Sequence, residues 1–141
     1  MVRKDSPLKS VDEFDRKGVR IAVGAKSAYD LYLTRTIKNA ELVRVPTSAG
    51  ALDDFQARNL EAAAGVKQAM TRYADKNPAV RMIPGQFMVI EQAMAIPKGR
   101  GEAAVPYVKA FVEEQKASGF VAAGLQRSGQ LDAAVAPATV N

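Results

Sequence analysis

Between Val19 and Asp30 the chain reads as a buried strand, a glycine turn and the start of a helix. The run Val19-Arg20-Ile21-Ala22-Val23 is β-branched and apolar at the length of an interior strand, and Gly24 ends it. Ser27 then stands where a helix cap belongs, ahead of Tyr29, Leu31, Tyr32, Leu33 and Ile37 at helical spacing. A cap of this kind leaves backbone N–H groups free at the positive end of the helix dipole. Gly24, Lys26, Ser27 and Ala28 are therefore candidates to receive an anion such as a carboxylate. The simpler reading of the same residues is a turn and a helix cap with no ligand.

The pattern then repeats. Residues 41–45, Glu-Leu-Val-Arg-Val, alternate as a strand that Pro46 stops. Thr47-Ser48 follow as a cap, and residues 50–57 read as a helix with Leu52 and Phe55 facing inward. Residues 60–66 form a strand of small side chains that would let a ligand or another backbone approach near Gly65 and Val66. Residues 67–73 read as a third helix, and residues 80–83 and 87–96 as two further strands parted by Pro84-Gly85. Glu91 sits in the middle of the second, as a margin carboxylate paired with Lys or Arg or as a ligand contact. Residues 103–118 place Val105, Val108, Phe111, Val112 and Gln115 at helical spacing, Gly119 stops that helix, and residues 120–127 form a shorter one.

Strands alternating with helices predict an α/β fold with a mainly parallel sheet and helices on both faces. Ligands of such sheets collect at the C-terminal strand ends, near the point where strand order reverses. Residues 24–28, 47–50 and 65–67 all fall there. The expected organisation is a lead-in with a short helix turn at 1–18, an α/β lobe at 19–96, C-terminal helices at 97–129 and a tail at 130–141. The lead-in itself is polar and carries Pro7, so it reads as extended chain rather than a packed element.

Composition narrows the chemistry. A chain of 141 residues with 48% hydrophobic content supports one core. It contains no Cys and no His, which removes disulfides, zinc sites of the usual ligands, and Cys/His or Ser/His/Asp nucleophile systems. The net charge of +5 comes from 20 basic residues scattered along the chain, and no basic segment alternates with aromatics, so nucleic acid is not the expected partner. No apolar run approaches the roughly 20 residues of a membrane span, and the first six residues lack the apolar core of a secretory signal. Asp53, Asp54, Glu61 and Glu91 are available as acids, and no paired spacing singles out two of them, so no enzyme activity is expected.

Three segments together resemble a known family. They are the lead-in Val2-Arg3-Lys4-Asp5-Ser6-Pro7-Leu8 running into residues 11–24, the segment Ala57-Arg58-Asn59-Leu60-Glu61-Ala62-Ala63, and Ile96-Pro97-Lys98-Gly99 followed by a long helix ending in Lys116-Ala117-Ser118-Gly119. In order and spacing they resemble the second half of an extracellular solute-binding protein of the polar amino-acid uptake type, the periplasmic component of ABC importers. The resemblance implies one lobe of a type II periplasmic binding protein, with both crossing strands and the C-terminal helices, and a first lobe missing. A natural fragment, a misplaced gene start or a trimmed chain would each produce this.

The resemblance further implies that residues 26–28 meet a ligand carboxylate, that the ligand is a small polar solute such as an amino acid, and that no cofactor takes part. A membrane permease would be the partner once a first lobe is supplied, and the compartment would be the periplasm. One position departs from the pattern. Val66 stands where many relatives place an Asp for the ligand's ammonium, and Glu91 is the residue available to replace that charge. The face of Val105, Val108 and Val112, which packs on the first lobe in relatives, would need another cover, and a homodimer with exchanged C-terminal helices would supply it. A ligand-sensing effector domain of a regulator shares the architecture, as do cyclohydrolyase and transglycosylase enzymes.

Overall fold

The structure, a computed structural model, describes residues 1–99 and 101–139 and divides into two compact units, Met1–Ile90 and Glu91–Asn141. The first unit is an α/β fold. Its centre is a three-stranded parallel sheet of β2 (Arg20–Gly24), β3 (Glu41–Val45) and β4 (Ala62–Ala63), in the order β3-β2-β4. Helix α1 (Ala28–Thr36) links β2 to β3, and α2 (Ser48–Ala57) links β3 to β4. The chain thus leaves β2 on one side and returns to it on the other, which makes β2 the place where strand order reverses.

Alternation along β2 sorts the core. Ile21 and Val23 join Tyr29, Leu33 and Ala62 in one buried cluster, while Ala22 joins Val43, Ala51, Phe55, Leu60, Ala63 and Met70 in the other. Side chains one residue apart in a strand point to opposite faces, so α1 covers one face and α2 and α3 (Lys67–Lys76) the other. The pairing is in register from Arg20 with Glu41 to Gly24 with Val45 on one edge, and Ile21 with Ala62 and Ala22 with Ala63 on the other.

Three expectations about strands are corrected. Residues 60–66 supply only the two-residue β4. Leu60 N–H still closes the turn after α2 by donating to Phe55 C=O, Glu61 is held by Arg20, and Gly65-Val66 already turn into α3. Residues 80–83 supply β5 (Val80–Arg81), which pairs antiparallel with β1 (Val2–Arg3) instead of joining the parallel sheet. Residues 87–96 form no strand at all. An apolar strand needs a ladder partner and cover on both faces. Here Phe87, Met88 and Ile90 pack on the core through their side chains alone, while Val89 and Met94 are exposed at 66% and 65%.

The lead-in is more ordered than its polarity suggests. Met1, Val2 and Leu8 are buried, and Arg81 ties the segment down by donating to the C=O groups of Lys4, Ser6 and Leu8 at 3.3, 2.9 and 2.7 Å. A 3-10 turn at Val11–Glu13 follows, with Ser10 and Glu13 in a capping box. The second unit holds α4 (Ala104–Ala117) and α5 (Phe120–Arg127), joined through Gly119 at φ 79°. The left-handed backbone there suits glycine, and it is the helix stop read from the sequence. None of the described residues of α4 or α5 is buried. No helix among the described residues is long and apolar enough to cross a membrane.

Candidate functional site

The C-terminal edge of the parallel sheet is built around Gly24. A Cβ at this position would lie 2.8 Å from Ser48 Oγ, 2.9 Å from Ser48 N and 3.0 Å from Ser48 Cα. Only glycine lets the end of β2 touch the first turn of α2, and the parallel register with Val45 delivers Thr47 and Ser48 to that contact. Ala25 N–H donates to Val45 C=O at 2.8 Å and extends the pairing past the strand end. Residues 24–28 and 47–50 therefore lie side by side.

Both helices begin with a side-chain cap. Asp30 N–H donates to Ser27 Oγ at 3.1 Å, and Gly50 N–H donates to Thr47 Oγ1 at 3.0 Å. Thr47 is the cap of α2 and Ser48 its first helical residue, so the helix starts two residues earlier than the sequence suggested. The N–H groups of Ala28 and Tyr29 in α1, and of Ser48 and Ala49 in α2, find no acceptor among the described residues. The Tyr29 hydroxyl, on a buried ring, sits 2.6 Å from Ser48 Oγ and joins the two helix ends.

One carboxylate of the chain already occupies part of this edge. Asp30 is 4% exposed; its Oδ2 accepts from Lys26 N–H at 2.8 Å, and its Oδ1 accepts from Arg44 Nε at 2.9 Å. Arg44 also donates to Thr34 Oγ1 at 2.8 Å, and Thr34 Oγ1 donates to Asp30 C=O at 2.7 Å. Lys26 takes φ 63°, a left-handed conformation uncommon for a residue with a side chain, and the Asp30 bond holds it there. The positive end of α1 is thus partly satisfied from within, and Arg44 is engaged. Among the described residues no carboxylate accepts from the uncommitted N–H groups of α2, whose first turn holds no acid.

Gly65 and Val66 follow β4 on the other side of β2, at the same edge, where Ala64 N–H donates to Ala22 C=O at 3.0 Å. Val66 is the N-cap of α3, with no side-chain oxygen to cap and 45% exposure; its C=O accepts from Ala69 and Met70 N–H. Gly65 packs on Met70, whose Sδ would stand 3.0 Å from an added Cβ. Glu91 belongs to the second unit, lies outside any strand and is exposed.

Two hollows of the first unit lie away from this edge. An open cleft of about 490 Å³ runs between the outer face of α3 and the turn after β5, lined by Lys67, Thr71, Met82 and the residues that follow to Gln86. A second of about 230 Å³ lies among Arg3, Asp5, Ser6, Pro7, Leu8, Val19 and Glu61, by the residue that precedes β2. The shared helix ends form an open shelf on which Lys26, Ala28, Thr47, Ser48 and Ala49 are exposed.

Of the acids considered for catalysis, Glu61 is tied by three Arg20 contacts of 2.9 Å, from Nε, Nη2 and the backbone N–H, and these hold its carboxyl below the usual range. Asp54 pairs with Arg58 at 3.0 Å one turn along α2. Among the described residues no group of three or more His, Cys, Asp or Glu could hold a metal ion. The network that sequence reading passed over is Asp30, Arg44 and Thr34. Its signal was the Ser27-x-x-Asp30 spacing, a capping pattern that places an acid on the first turn.

No protein-family model matches the chain, and no curated protein is significantly similar to it.

Proposed function

We propose that this chain is the ligand-binding lobe, or a fragment of one, of a solute-binding component of an ABC uptake transporter, holding a small polar or carboxylate-bearing solute such as an amino acid without catalysis. The observation that supports this reading is the close pairing of the α1 and α2 N-termini at the strand-order reversal, joined by Tyr29 and Ser48. Backbone N–H groups at two helix ends make a seat for a carboxylate. With Asp30 already beside α1, the ligand's negative group is drawn to Ser48 and Ala49, and the Ser48 hydroxyl adds a further donor or acceptor. The partner would be the importer's membrane permease and the compartment the periplasm, both of which rest on family resemblance alone.

An open shelf touches a ligand on one side only, so the affinity of this lobe by itself is weak. Titration of the ¹⁵N-labelled chain with a panel of amino acids and small carboxylates, at constant ionic strength, tests the proposal. The amide signals of Ala28, Tyr29, Ser48 and Ala49 move together and saturate with at least one member of the panel. Absence of movement at these four amides across the panel, or saturable shifts confined to the cleft by Lys67 and Thr71, would overturn it.

A further inference from the structure

We draw no further inference here: the strongest candidate, the exposed apolar surface patch of Tyr107 and Phe111, one turn apart on α4, is an unpartnered face, and nothing in the structure shows what covers it.

Discussion

Gly24 and Tyr29 set the candidate shelf in different ways, one by having no side chain and one by where its hydroxyl ends. Replacing Gly24 with Ala forces a methyl group against the side chain and backbone of Ser48, whose N and Cα move only if the first turn of α2 moves. Overpacking of this kind costs about 1–3 kcal/mol, and Gly24→Ala is expected to lower the urea midpoint accordingly without changing the slope of the transition. Gly50→Ala makes a useful contrast. Its nearest contact is the Thr47 hydroxyl at 3.1 Å, and its helical position gains from alanine, so that variant stays within about 1 kcal/mol of the parent.

Tyr29 packs in the cluster under α1 while its hydroxyl reaches Ser48. Tyr29→Phe keeps the ring and removes one hydrogen bond, a loss of about 0.5–1.5 kcal/mol. The same variant is expected to raise hydrogen exchange at Gly50 and Ala51, whose N–H groups donate to Thr47, because it releases the tie between the helix ends. Unchanged exchange at those amides would show that Gly24 packing alone holds α2 in place.

The turn between α1 and β3 depends on a carboxylate from well upstream. Asp15 accepts from the N–H groups of Lys38, Asn39 and Ala40, with the Asn39 bond shortest at 2.6 Å, and these bonds hold its carboxyl below the ordinary 3.8. A carboxyl depressed in the folded state contributes stability that is present above its unfolded value and is lost as pH falls through the folded one. Acid titration of the parent therefore weakens the turn below about pH 4. Asp15→Asn removes that part of the acid dependence, and amide exchange at residues 38–40 between pH 5 and 2.5 measures it. An identical acid profile in parent and variant would count against the assignment.

Legibility in the sequence follows the range of the forces involved. Caps at Ser27 and Thr47, the β2 and β3 strands and the stop at Gly119 are local, and each lies within two residues of where the residue pattern puts it. What was not legible was pairing. Residues 80–83 look like a strand of the parallel sheet, and nothing near them says that Val80 and Arg81 pair with Arg3 and Val2. Residues 87–96 carry a strand's composition but no ladder partner, a matter decided by which edges the rest of the fold leaves open. The shelf was legible as two helix starts. The Asp30–Arg44 pair was not, because it joins α1 to β3 through space.

Across the chain as a whole, the two buried clusters draw every member from residues up to Ile90. The segment that follows, through Gly99, is largely exposed and outside any helix or strand, and Lys98 lies within it. Brief trypsin treatment is expected to cut at Lys98 early and to leave a fragment of residues 1–98 whose thermal midpoint stays within a few degrees of the parent's. A fragment that loses its cooperative transition would show that the helices beyond Gly101 stabilise the first unit.

The order β3-β2-β4, with β1 set against β5, also bears on how the protein is made. As the chain emerges from the ribosome, β2 appears with both edges bare, gaining one neighbour when Leu42 is out and the other only after Ala62. Val2 waits for Val80 and Arg81, far later in the chain, before its backbone is matched. Nascent chains stalled short of residue 80 should therefore present sticky, unmatched β-edges and depend on chaperones, whereas release of a slightly longer chain lets β1 and β5 pair and close the unit in one step.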